Sequence, residues 1–419
     1  MRHLYSALFY LVLPVFFLRL LWRSRRNPQY RQRWAERCGY CPYQLQNSIW
    51  VHSVSVGETL AAVPLIKALI ARYPQFPLIV TTMTITGAAR VQAAFGDQVK
   101  HVYIPYDAPC AVARFLDRIK PQVAIIMETE LWPNLFAACQ RRAIPIVVAN
   151  ARLSAQSQAG YRRIAPLTRI MFPAIHTVAA QSPADANRFI ELGMPKERVV
   201  VAGNIKFDME VPQDLLVRSE KLRGELGSHR LMWVAASTHE GEDEIILAAH
   251  QKIRQQFPEA LLILVPRHPE RFDAVALLSQ QQGLLTVRRS QGLACTAETA
   301  VYVGDTMGEL LLFYAVADVA FVGGSLVQRG GHNLLEPAML SKPVLSGPHL
   351  FNFVAISDLL TTASALTIVQ DVVTLTHAVL AFFQDSTMRQ TVGARACQVV
   401  DANRGALAKQ LTLIYSLLP

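Results

Sequence analysis

Charged residues are scarce in this chain: 17% of its 419 positions, against 52% hydrophobic. That balance argues against a disordered chain, and the length calls for two ordinary cores rather than one. Cysteine is sparse too, with six residues of which only Cys38 and Cys41 stand close together. Without a second pair there is no four-ligand zinc pattern, and all six read as reduced thiols. The sequence holds no G-x-G-x-x-G fingerprint and no P-loop, so hydride transfer and ATP hydrolysis lack their usual supports. No two aspartates are spaced D-x-D, the arrangement that holds a metal under a nucleotide-sugar diphosphate. A group transfer in this chain is therefore expected to need neither metal nor cofactor, and to rely on positive helix ends and Arg or Lys side chains.

The charge that is present is unbalanced, +10 overall, which points to an acidic partner. Nucleic acid, anionic lipid and phosphorylated sugars all fit that sign. The distribution favours the lipid surface over nucleic acid. Leu4 to Trp22 is almost wholly apolar, about the length of one bilayer crossing, with Arg19 placed to snorkel. Arg23, Arg25, Arg26, Arg31, Arg33 and Arg37 follow it, and only Arg2 precedes it. The positive-inside rule then predicts a single N-terminal anchor in an inner membrane with the body on the cytoplasmic side. No small-residue cleavage site follows the apolar run, which argues against a signal peptide. Apolar residues also run all round the helix, which favours crossing over lying in the interface.

From Ile49 onward apolar strands alternate with helical stretches. Strands are predicted at 49–54, 78–82, 101–104, 123–127, 144–149, 176–180 and 199–202. After a charged, helical, core-poor stretch from Asp208 to Ser228, read as the linker between domains, the pattern restarts, at 231–236, 261–265, 301–304, 319–322 and 343–345. Such alternation predicts an α/β fold of two doubly wound parallel sheets, with ligands beyond the carboxyl ends of the strands. The expected division is 1–30 as anchor and basic segment, 31–208 as a first Rossmann-like domain, and 209–419 as a second.

The residues at those strand ends carry the chemistry. Glu58 follows Gly57 where a helix begins; from the residues alone it reads first as a first-turn acid favoured by the helix dipole, and second as a general base. In Glu128-Thr129-Glu130-Leu131-Trp132-Pro133-Asn134, Pro133 suits the first position of a helix, which leaves the acids in the loop ahead of it. A sugar-binding wall, a metal pair and plain helix capping all stay open there. Lys206, in Gly203-Asn204-Ile205-Lys206-Phe207-Asp208, is either a positive charge for a carboxylate or phosphate, or a solvated surface lysine. Pro266-Arg267-His268-Pro269 holds an arginine stiffly between prolines, as an anion receptor would. Gly304-Asp305-Thr306-Met307-Gly308-Glu309-Leu310 is another helix start built from glycine and acids. The stretch Gly323 to Pro337 places two glycine pairs between strand and helix, where backbone N–H groups can approach an anion. Asn333 and Glu336, three apart, share a helix face, and the carboxylate there suits sugar hydroxyls.

Together with His52-Ser53-Val54-Ser55-Val56-Gly57-Glu58, these motifs resemble the Kdo transferases, which add 3-deoxy-D-manno-octulosonic acid to lipid A precursors in lipopolysaccharide biosynthesis. The resemblance covers nearly the whole chain, anchor included. It implies a GT-B fold, two Rossmann-like domains facing across a cleft, the first for the acceptor and the second for the CMP-sugar donor. It implies CMP-Kdo as donor, lipid IVA as acceptor, and inversion at the anomeric carbon. Glu58 then matches the proton acceptor, and Glu128 and Lys206 match residues that stabilise the transition state. Pro266, Arg267, Met307, Gly308, Glu309, Asn333, Leu334, Leu335 and Glu336 match the CMP contacts. In that scheme the N–H groups at Gly308 and near Asn333 serve the phosphate, while Glu309 and Glu336 take ribose hydroxyls. The alternative from the residues is another GT-B enzyme, a transferase or epimerase that uses a UDP-sugar.

Overall fold

The computed structural model describes residues 1–25 and 27–419; Arg26, one of the basic cluster, lies outside them. Among the described residues the chain forms two units, Met1–Asp208 with Arg404–Pro419, and Met209–Asn403. The first holds β1 (Ser48–His52), β2 (Leu78–Thr82), β3 (Lys100–Tyr103), β4 (Pro121–Met127), β5 (Ile146–Ala151), β6 (Ile175–Ala180) and β7 (Val199–Val201). The second holds β8 (Met232–Thr238), β9 (Leu261–Pro266), β10 (Thr286–Arg288), β11 (Val301–Val303), β12 (Val319–Val322), β13 (Val344–Ser346) and β14 (Leu366–Ile368).

Both sheets are parallel throughout, ordered β3-β2-β1-β4-β5-β6-β7 and β10-β11-β9-β8-β12-β13-β14. Strand order reverses beside β1 in the first and beside β8 in the second. Those are the switch points where a doubly wound sheet opens a crevice at its carboxyl edge. Helices cover both faces, so the strands read as continuous apolar runs with no polar side. The period of two still sorts them. Ile49 and Val51 join one core layer with Val123 and Ile125, while Trp50 joins the opposite layer with Ala124 and Ile126.

Two parts of the sequence expectation need correction. The stretch expected to be a core-poor linker is helical as expected, but its helix, Leu215–Leu226, is packed and buries Leu215, Leu222 and Leu226. Its Arg223 donates to the carbonyl of Val316 and pairs with Asp318 at 3.2 Å. The second unit also ends at Asn403 instead of running to 419. The C-terminal helix (Ala406–Tyr415) packs Ala406 and Ile414 into the core of the first unit. Asp208 fixes that return, accepting from the N–H groups of Gly405 and Leu407 at 2.6 Å each.

The N-terminal helix, Arg2–Ser24, is two-sided in its packing although not in its composition. Leu4, Leu8, Leu11, Val15 and Leu18, spaced four and three apart, form an exposed stripe, each more than half accessible. The other side rests on the first unit: Ser6 Oγ donates to Asn134 Oδ1 at 2.9 Å, and the Phe16 and Phe17 rings pack on Tyr106. Near its end Ser24 Oγ accepts from Arg31 Nε at 3.0 Å.

Candidate active site

In the first unit the carboxyl ends of β1, β4 and β7 bring Glu58, Glu128 and Lys206 together. Glu58 lies in the first turn of the helix Val56–Arg72, whose N-cap is Ser55. Its Oε2 accepts the Val54 N–H at 2.7 Å, and its Oε1 accepts from Ser55 Oγ at 2.8 Å. The Ser55 side chain in turn accepts the Glu58 N–H, completing a capping box. Helix capping is therefore realised, and it does not exhaust the group. Oε1 also accepts the Ser55 N–H at 3.3 Å, whereas Oε2, with Val54 alone, keeps a second lone pair. Burial pushes the carboxyl up to about 6; the bonds from Val54 and Ser55 oppose that, and the nearby charges of Glu128 and Glu130 add to it. A buried carboxylate poised near neutral pH suits general-base work.

Glu128 sits at φ +56°, in the left-handed region where a residue with a side chain is uncommon. Its Oε1 lies 4.0 Å from Lys206 Nζ. Lys206 owes its place to a buried polar clamp behind it. Asn150, near the carboxyl end of β5, accepts the Ile205 N–H at 3.0 Å and gives its own N–H to Gln410 at 2.8 Å. Gln410, on the C-terminal helix, donates on to the Gly203 carbonyl at 3.3 Å. Glu130 accepts the Trp132 indole N–H at 2.8 Å, and the Trp132 ring meets His52 edge-on with centroids 6.0 Å apart. His52 is fully buried and burial holds its imidazole down near 4, so it is a neutral wall of the site.

In the second unit the candidate residues lie at the carboxyl ends of β11, β9 and β12, which with β8 form four neighbouring strands. Asn333 Nδ2 donates to Glu336 Oε1 at 3.2 Å, the shared face expected from their spacing. Burial raises Glu336, against the pull of Asn333 and of Arg267. Arg267 also faces His332, whose imidazole burial and neighbouring cations hold at about 4. Leu334 and Leu335 are buried beneath this face. Gly308 has φ +83° and open space around it, and Met307 is exposed.

Two site groups are engaged otherwise than the sequence suggested. Glu309 is gripped by Arg289 at 3.0 Å and by Thr306 Oγ1 at 2.5 Å, with Arg218 at 3.7 Å. Those partners hold its carboxyl below the usual range, and a ribose hydroxyl would have to share them. The glycine-rich loop after β12 does wrap an anion, and the anion is the chain's own Glu242. That buried carboxylate accepts the N–H groups of Gly324, Ser325, Leu326 and His239, at 2.7 to 3.0 Å. Gly323 has no room for a side chain there, since a Cβ would stand 2.9 Å from the Ser237 carbonyl oxygen. No local pattern marks Glu242 for this role, because three of its four partners lie more than eighty residues away. The same separation hid His239 and His332, whose Nε2 atoms share a hydrogen bond of 2.9 Å.

Two switch-point crevices with acids, a lysine and an arginine at parallel strand ends define a GT-B-like enzyme. UDP-N-acetylglucosamine 2-epimerase has this fold: TM-score 0.58, 13% identity, 89% of this chain and 97% of that one. MurG of Acinetobacter baumannii has it too, at TM-score 0.57 and 12% identity over 88% of this chain and 99% of that one. At such identities the likeness is one of fold. Sequence is more specific. The family described as 3-Deoxy-D-manno-octulosonic-acid transferase (kdotransferase) matches residues 32–209. The 3-deoxy-D-manno-octulosonic acid transferase of Haemophilus influenzae is 42% identical over 419 residues, 99% of this chain and 98% of its own. The chain belongs to the Kdo transferase family and is an enzyme of that class. The alternative of a UDP-sugar enzyme falls with that membership.

Proposed function

We propose that the enzyme moves Kdo from CMP-Kdo to lipid IVA, inverting the anomeric centre, without a metal and with Glu58 as general base. The observation that carries this reading is Glu58 itself: a carboxyl raised to about 6 at the switch point of the first sheet, in a chain of this family. In this reading Glu58 takes the proton of the attacking sugar hydroxyl. One base suffices when the leaving group departs from the opposite face. Lys206 offsets negative charge on the Kdo carboxylate and the departing CMP, and Glu128 orients that lysine through their 4.0 Å contact. The second unit holds CMP, with the Arg267 guanidinium for the phosphate and Asn333 and Glu336 for ribose. Pro266 stiffens the arginine, and Leu334 and Leu335 back the ribose face. Gly308, with Met307 and Glu309, lends backbone N–H groups.

We infer further that the body sits on the cytoplasmic face of the inner membrane, held by the N-terminal helix and the arginines after it. The contacts from Ser6 to Ser24 span about 27 Å of helix, close to the thickness of a hydrocarbon core. A perpendicular crossing would submerge the polar surface that those contacts hold. Seating parallel to the surface, with the leucine stripe in lipid, suits the packing better.

The test is transfer of labelled Kdo from CMP-Kdo to lipid IVA with chelator present, the product's anomeric configuration being read by NMR. Product of inverted configuration supports the reading. No product, or product only when metal is restored, overturns it.

A further inference from the structure

Between the N-terminal helix and the first unit lies a cavity of about 420 Å³, within the roughly 300–1,000 Å³ usual for ligand pockets. Phe9, Phe16 and Leu20 of the helix form one wall. Tyr106, Leu131 and Trp132 form the facing wall, so most of the lining is apolar or aromatic. Three guanidinium groups, of Arg19, Arg23 and Arg37, line it as well.

Among the described residues none of these three arginines has a carboxylate within 4.0 Å. Arg19 and Arg23 are four apart and so share a helix face. Arg37 is only 5% exposed, stacked over Tyr103 at 4.5 Å and donating to the Met83 carbonyl at 2.9 Å. Glu36 acts on this cation only from beyond 4.0 Å, being paired with Arg33, so the desolvated guanidinium favours an anionic guest. The acid in the lining, Asp107, is already engaged: its oxygens accept the N–H groups of Asn134 at 3.0 Å and Leu135 at 2.8 Å. Burial also pushes it up to about 7, which softens its repulsion of an anion.

Apolar walls beside unpaired guanidinium groups fit one chemistry, an acyl chain joined to a phosphate. We propose that this cavity seats an acyl chain and the adjoining phosphate of the acceptor glycolipid, with the N-terminal helix as a working wall of the acceptor site. The proposal rests on the function proposed above. Bulk phospholipid shares the chemistry, but the position favours the acceptor. Trp132, in the cavity wall, bonds Glu130 and touches His52, so the wall runs straight into the carboxylates of the candidate active site. The helix then does more than tether: it completes a pocket.

The test uses full-length enzyme and the variants Arg19→Gln/Arg23→Gln and Leu20→Trp, the second of which fills the cavity without touching charge. The expected result is a rise in acceptor KM of about tenfold or more in both. The KM for CMP-Kdo and kcat at saturating acceptor stay within about twofold. Dodecyl phosphate binding, followed by calorimetry, should be clear for wild type and lost in both variants, whereas inorganic phosphate and dodecanol bind neither. Association with phosphatidylglycerol vesicles should be unchanged in Leu20→Trp. Equal dodecyl phosphate binding by wild type and variants overturns the proposal, as does an acceptor KM that moves only in step with vesicle association. If wild type transfers no Kdo at all, the proposed function fails, and the dodecyl phosphate comparison still decides whether the pocket takes this chemistry.

Discussion

Replacing Glu58 by Gln keeps the geometry of the capping box, which accepts Glu or Gln at the third helical position, and removes the carboxylate proposed as base. General-base catalysis contributes roughly 10²- to 10⁴-fold, so kcat should fall by that factor, or about 3 to 5 kcal/mol of barrier. The wild-type kcat/KM should rise with pH and level off above about 6 as the carboxyl ionises, while the variant's residual rate stays flat. Stability gives a second, independent readout. A carboxyl raised from 4.5 to about 6 contributes stability that is present below pH 4.5 and lost as pH rises through 6. At 1.36 kcal/mol per pH unit, that loss is about 2 kcal/mol. The variant has no such group, so wild type should lose about that much relative to it between pH 4.5 and 7. Urea titrations across that range, together with initial rates, measure both effects. A variant as active as wild type would refute the role of Glu58. A stability difference independent of pH would refute the burial argument behind it.

Three further outcomes follow from the same geometry. Glu242→Ala strips the acceptor from four buried N–H groups and should cost about 3 kcal/mol or more, with CMP affinity falling alongside; a loss under 1 kcal/mol in denaturant would mean that water replaces the carboxylate freely. Lys206→Met should lower kcat by about 10²-fold or more yet change stability by less than about 1 kcal/mol, because its pair with Glu128 is partly exposed; an unchanged kcat would remove Lys206 from the chemistry. A cysteine placed at His3 should react with a membrane-impermeant maleimide from the side on which the body lies; reaction only from the opposite side would show that the N-terminal helix crosses.

Much of this was legible because each candidate side chain follows a buried strand, and strand ends show clearly when both faces are apolar. Glu58, Glu128 and Lys206 could be placed at strand ends from pattern alone. What could not be read is what reaches them from afar. The strands β10 and β14 have three residues each at sheet edges, too few for a pattern. The helix Leu215–Leu226 buries only three leucines, so its charged surface dominates the sequence. The N-terminal helix is apolar all round, and only packing separates the exposed stripe from the cavity wall. Glu242 carried no local mark of the loop it holds, since its bonds join a helix start to a stretch about eighty residues later.

The return of the last helix to the first unit bears on how the protein is made. A ribosome releases Lys206 with the first half of the chain, but the Asn150–Gln410–Gly203 clamp behind it stays incomplete until residue 410 emerges. The second unit, Met209–Asn403, is thus an insertion between two halves of a single core, and its own folding can finish while that core is still waiting for Ala406 and Ile414. Nascent chains stalled just short of the C-terminal helix should therefore hold a finished second unit beside an unfinished first one, with the Lys206 loop the last part of the enzyme to set.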